Sequence, residues 1–173
     1  MRAAYLASVA TMEDAARRAR EEHNRYEASG EDDAEYDETG ALTYSTRHSL
    51  DYDAMDAGLA INVVREAFIT SAFHYWERSA RSWTGLYAPS DRFPELSAAS
   101  RKKYPLSSQL DVLNRLNNFL KHSGDKKARS LAKLRPDYFR PLFPGQHPRL
   151  WITHEHVQAA FETVSASGPT YDA

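Results

Sequence analysis

The chain contains no cysteine, which excludes disulfide bridges, cysteine-ligated zinc and a thiol nucleophile. It has no run approaching the ~20 consecutive apolar residues that a membrane-spanning helix needs. Its first twenty residues, MRAAYLASVATMEDAARRAR, lack the continuous apolar stretch of a secretion signal and turn charged by Glu13. The expectation is a cytoplasmic protein with no membrane association. Glycine-rich phosphate loops and Gly-x-Ser-x-Gly elbows are also missing, so two common routes to phosphate and acyl chemistry are closed. Basic residues are absent beyond Leu150, where three acids stand alone.

What is present suits a globular protein. A length of 173 residues fits one domain over 1–173, and a 42% hydrophobic, 12% aromatic composition can fill its core. The net charge of −2 conceals a strong asymmetry. Residues 1–50 carry six Lys/Arg against eleven Asp/Glu, and residues 51–100 carry four against seven. Residues 101–150 reverse the balance, with twelve basic and three acidic residues for a net of +9. Such a block attracts phosphate backbones through counterion release; it serves equally as a solvated face balancing the acidic half.

Helical periodicity dominates. Tyr5, Val9, Met12, Ala16 and Ala19 predict a helix from about Ala3 to Tyr26, stopped near Ser29-Gly30. The stretch EDDAEYDETG has six acids in its first eight residues, and the segment from about 30 to 50 reads as a solvated loop. Within it, ALTYSTRHS fits either a short strand or an extended connector. Ala57, Ile61, Val64, Phe68, Ala72 and Tyr75 predict a long helix over Asp51–Trp83, with Trp76 and Trp83 at one edge of its stripe. Residues 84–106, with three prolines, read as loop with one or two turns over Glu95–Lys103. Further helices follow over Ser107–His122, Lys126–Leu134 and His154–Ser165, the last capped by Thr153. PDYFRPLFPGQHP reads as irregular but packed, and RLWI as a short strand.

On a helical wheel, Leu110, Val112, Leu113, Leu116, Phe119 and Leu120 fill an apolar arc of roughly 180°. Opposite, within about 60°, lie Asp111, Arg115, Asn118 and His122. An imidazole can take or give a proton near neutral pH, a guanidinium can hold a phosphate, and an amide can orient either. Together they suit phosphodiester cleavage without a metal. An exposed polar helix face is the plainer alternative.

Other constellations are weaker. His154 and His156 stand two apart at a helix start and diverge, unlike the i, i+4 pair of a zinc helix. His74 and Glu77 share a face and suit a structural hydrogen bond. His23, His48 and His147 have no partner at ligand spacing. Trp76, Trp83, Tyr75 and Tyr87 fit core or dimer packing better than a base-stacking platform.

Arg115-Leu-Asn-Asn-Phe-Leu-Lys-His122, followed by Ser-Gly, resembles the signature of the HEPN superfamily, in which four to six residues separate an Arg from a His. Asn118 and His122 match the motif Asn and His; position 117, where many members carry Arg, holds Asn117. AFITSAFHYWERSARSWTGLY (residues 67–87) resembles the helix with an aromatic-Trp-Glu run, matching Glu77 to its acid. RLWITHEHVQAAFETV resembles the hydrophobic-Thr-x-Glu-x-Val opening of the last helix. The resemblance spans about residues 51–165. It implies an all-α bundle of four to five helices with long connecting loops, dimerised so that two motif helices face a shared cleft. For active members it implies metal-independent, cofactor-free endoribonuclease chemistry leaving a 2′,3′-cyclic phosphate, often in toxin–antitoxin or defence systems. His122 would then be the general acid/base, Arg115 the phosphate holder and Asn118 the orienting amide, with Glu77 and Asp111 in support. Lys121, Lys126, Lys127 and Arg129 add nearby charge for an RNA backbone. The implied partners are a second copy, RNA, and an antitoxin or other protein. The alternative, which Asn117 favours, is a non-catalytic dimerisation or interaction module retaining the fold.

Overall fold

A computed structural model describes residues 1–31, 33–140 and 149–170. The chain divides into two compact units, residues 1–64 and 65–173. Among the described residues there are six α-helices and two small antiparallel sheets, so the protein is mostly helical. No helix of the described residues is long and apolar enough to cross a membrane.

In the first unit, α1 runs Arg2–Ser29 and buries Tyr5, Val9 and Ala16, the core of the predicted stripe. Gly30 ends it in the left-handed conformation (φ 68°), which a residue without Cβ adopts at least cost. The acidic segment is not simply a loop. It folds into a hairpin, β1 (Glu35–Tyr36) against β2 (Leu42–Tyr44), followed directly by α2 (Thr46–Thr84). The reason lies in what the acids accept. Asp37 Oδ1 takes hydrogen bonds from the Thr39 hydroxyl (2.6 Å), the Thr39 N–H (2.8 Å) and the Ala41 N–H (2.9 Å). Asp33 accepts from the Tyr26 hydroxyl (2.5 Å) and from both the hydroxyl and the N–H of Thr46. These bonds hold both carboxyls below their ordinary range, the Thr39 and Thr46 hydroxyls contributing most. His23, expected to be structural, contacts Asp51 at 2.9 Å.

In the second unit, the C-terminal part of α2 buries Ile69, Ala72, Phe73, Trp76 and Ala80, a stripe at helical spacing. The stripe is turned from the one predicted: Tyr75 is 60% exposed, whereas Trp76 is 1% exposed and central. The Trp76 ring lies 5.9 Å from Phe73 and 5.6 Å from Phe93, and its Nε1–H donates to the Ser167 carbonyl at 2.8 Å. Within residues 84–106, the one or two turns expected over Glu95–Lys103 are a nine-residue helix, α3 (Phe93–Arg101). Pro94 starts it, and the Glu95 carboxylate accepts from the Arg92 N–H at 3.0 Å.

α4 runs Leu110–His122, three residues shorter than predicted, because Ser107 spends its groups on a preceding turn. Its Oγ accepts from the Gln109 N–H (3.2 Å), and its own N–H donates to Ser167 Oγ (3.0 Å). α5 (Asp125–Leu134) packs on α4, and a 3₁₀ turn (Pro136–Tyr138) leads into β3 (Phe139–Arg140). β3 pairs with β4 (Arg149–Leu150), so the strand read from RLWI is two residues long. The rest of the proline-rich segment, His147 included, lies outside the described residues.

Thr153 caps α6 (His154–Ser165) as predicted, with an unusual partner. Its Oγ accepts from the His156 N–H (3.4 Å), while His156 Nδ1 accepts from the Thr153 N–H (3.1 Å). The proton therefore sits on Nε2, 3.2 Å from Asp137 Oδ2. Burial holds this imidazole below the ordinary histidine value, although Asp137 pulls the other way. The unfolded chain thus binds the proton more tightly. Stability from this group is full above about pH 6.5 and is lost as pH falls from there toward the folded value. The thermal midpoint should fall between about pH 7.5 and 5.5. His156→Gln, which keeps a side chain able to cap, should remove part of that slope in a pH series of melting curves.

Candidate functional site

The polar stripe of α4 forms, but its members divide between two environments. Asp111, Arg115 and His122 are exposed. Arg115 Nε donates to Asp111 Oδ2 at 2.7 Å, with both side chains about half exposed (51% and 55%). A pair in that setting contributes about 0–1 kcal/mol, so an incoming phosphate can displace the carboxylate at little cost. Arg115 is drawn toward the turn before it, while His122 lies two turns after it, about 10 Å along the axis. Arg115 and His122 are therefore not brought together within one copy of α4.

Asn118 turns toward the flank instead. It is half-buried, and its Nδ2–H donates to Asn114 Oδ1 at 3.0 Å. Here a cleft of about 480 Å³ opens between α2 and α4. From α4 come Asn114, Asn117, Asn118 and Lys121; from α2 come Phe73, Glu77 and Arg81; the segment leading into α3 adds Asp91, Arg92 and Phe93.

Glu77 organises the α2 wall. Its Oε2 lies 3.2 Å from His74 Nδ1, the structural pair expected from their spacing. Its Oε1 accepts from Arg81 Nη2 at 3.2 Å, and that guanidinium also donates to the Asp91 carbonyl at 2.9 Å. Arg81 is thereby committed to holding the loop, leaving Lys121 and Arg92 as the cations at the rim.

Asn117 is the residue that sequence reasoning passed over as a site. It is 1% exposed, and neither Nδ2 nor Oδ1 has a hydrogen-bond partner among the described residues. The signal was available: on the α4 wheel, position 117 falls between Leu113 and Leu110, inside the apolar arc. A polar side chain there demands a partner.

Beyond His122 the surface is strongly basic. Lys121, Lys126, Lys127, Arg129 and Lys133 are exposed, and none forms an ion pair among the described residues. Lys126 and Lys127 stand in the first turn of α5, where the helix dipole disfavours cations. Asp125, in the same turn, offsets part of that cost.

Larger but less promising is a groove of about 770 Å³ that includes Tyr75, Trp83, Tyr104 and Gly168. It has no charged residue in its lining, and Trp83 there is tied to Ser100 Oγ at 2.9 Å. His154 and His156 are engaged separately, with Gln158 and with Thr153 and Asp137. No family model, curated protein or solved structure matches the chain.

Proposed function

We propose that this chain is an RNA-acting protein of the HEPN kind, which binds an RNA strand along the α4–α5 corner and presents His122 to its backbone. The observation that carries the reading is the cationic edge: Lys121, Lys126, Lys127, Arg129 and Lys133 are exposed on the two helices that meet just after His122, outnumber the one acid between them, Asp125, and form no ion pair among the described residues. A strand laid there releases counterions and places its phosphates beside an imidazole. The three family-like stretches, centred on Glu77, on Arg115–His122 and on Thr153, support the assignment. Because Arg115 and His122 lie two turns apart, the reading includes a homodimer in which a second α4 supplies the guanidinium. His122 then serves as acid/base toward the ribose 2′-hydroxyl. A toxin–antitoxin or defence setting, with a protein partner, follows from the same resemblance.

The test is cleavage of a mixed RNA pool in EDTA. Wild type should leave 2′,3′-cyclic phosphate ends, and His122→Ala and Arg115→Ala should each slow cleavage by at least about 10²-fold. Cleavage that survives both substitutions contradicts the assignment of this site. A second reading, RNA binding without cleavage, is favoured by Asn117: it is uncharged and buried where the resemblance calls for Arg. Salt-sensitive binding with no cleavage by wild type would select it.

A further inference from the structure

The N-terminal half of α2 carries an exposed apolar seam. Tyr52, Met55, Leu59 and Val63 are 64%, 48%, 40% and 63% exposed. Their spacing, i, i+3, i+7 and i+11, places them within about 80° of one helix face and over about 17 Å of its length. Apolar side chains scattered singly on a surface need no explanation. A continuous line of four marks a docking face, and this spacing is the one by which helices are gripped. The rest of the first unit does not cover it. α1 meets α2 about 90° or more around the helix from the seam's centre, through Glu27 and Arg47 (2.6 Å) and through His23 and Asp51 (2.9 Å).

Charge decides what can lie on this face. Residues 1–64 carry six Lys/Arg against fourteen Asp/Glu, a net of −8. Asp56 borders the seam, and Asp53 lies further round on the same side. Both are exposed, and neither forms an ion pair among the described residues. A second copy laid here would set one acidic surface against another, and an anionic lipid surface would be repelled in the same way. A helix with an apolar stripe and Lys or Arg on its flanks would bury the seam and meet both carboxylates.

We infer that the outer face of α2 over residues 52–63 docks a basic amphipathic helix of a protein partner, gripped by Tyr52, Met55, Leu59 and Val63 and oriented by Asp53 and Asp56. It uses none of the residues of the α4–α5 edge, so it stands whether or not that edge binds RNA.

The experiment is fluorescence anisotropy of the whole protein with two labelled synthetic helices of about 18 residues, long enough to hold helical structure. They share one leucine face and differ only in flanking charge, lysine in one and glutamate in the other. Wild type should bind the lysine-flanked helix at least tenfold more tightly. Leu59→Ser/Val63→Ser should weaken that binding at least tenfold, while staying helical by circular dichroism because both positions are exposed. Asp53→Asn/Asp56→Asn should narrow the gap between the two helices by about threefold or more. Tyr87→Ser, at a position 67% exposed but off the seam, should leave both affinities unchanged. Equal affinity for the two helices, or binding that survives Leu59→Ser/Val63→Ser, would overturn the inference. Sedimentation equilibrium should give wild type and Leu59→Ser/Val63→Ser the same oligomeric state. A wild-type dimer that this variant loses would assign the seam to a second copy, and would overturn the inference as well.

Discussion

Replacing Lys121, Lys126, Lys127 and Arg129 together by alanine is expected to remove most of the salt-sensitive affinity for single-stranded RNA. Each phosphate neutralised on a single strand contributes about −0.7 to the slope of log K against log salt, so four contacts contribute about −3. A fourfold rise in salt then costs those contacts about 50-fold in affinity, and the variant should be spared that loss. The fold should not suffer. All four side chains are exposed and none holds an ion pair among the described residues. Removing Lys126 and Lys127 from the first turn of α5 relieves an unfavourable dipole interaction, so stability should stay level or rise by a few tenths of a kcal/mol. Binding isotherms at four salt concentrations, with melting curves for both proteins, check the two halves of this expectation. An unchanged slope would mean that RNA, if bound, lies elsewhere.

Trp76→Ala should be the most damaging single change in the second unit. Truncating a buried tryptophan typically costs 3–5 kcal/mol, and here it also orphans the Ser167 carbonyl that Nε1 satisfies. For a chain of this size the expected fall in thermal midpoint is about 10–15 °C. Tyr75→Ala, one position away, should fall within about 0.5 kcal/mol of wild type because Tyr75 is 60% exposed. The contrast tests which face of α2 the core uses. Equal damage from both would contradict the packing described here.

That contrast also marks where the sequence was legible and where it was not. Period and punctuation carried the helices: Gly30 after α1, Thr153 before α6 and the apolar arc of α4 all stand where the sequence places them. The rotation of α2 was not legible, because Tyr75 and Trp76 are adjacent large aromatics and only tertiary packing decides which is enclosed. The acidic hairpin was misread for a different reason. Counting its charges predicts repulsion, but Asp33 and Asp37 are absorbed as acceptors in local turns. α3 was read short, as one or two turns over Glu95–Lys103, because three prolines argue for loop, although Pro94 at a helix start is favourable.

For the site, spacing gave the exposed members of the α4 stripe but not their partners. The i, i+4 spacing of Asp111–Arg115 and Glu77–Arg81 allows both ion pairs, but nothing in the sequence says that Arg81 also reaches the Asp91 carbonyl and so braces the loop before α3. Asn117 stood out in sequence only as a departure from a motif. Its meaning depends on burial without a partner, which only the packed α2–α4 pair reveals.

The most direct test is to titrate a short single-stranded RNA into isotope-labelled protein and follow backbone amide shifts. The account predicts that shifts concentrate in residues 114–133, through Lys121, His122 and the first turn of α5, and fade as salt is raised. Shifts confined to the acidic hairpin and α1, or none at RNA concentrations well above the protein, would contradict it.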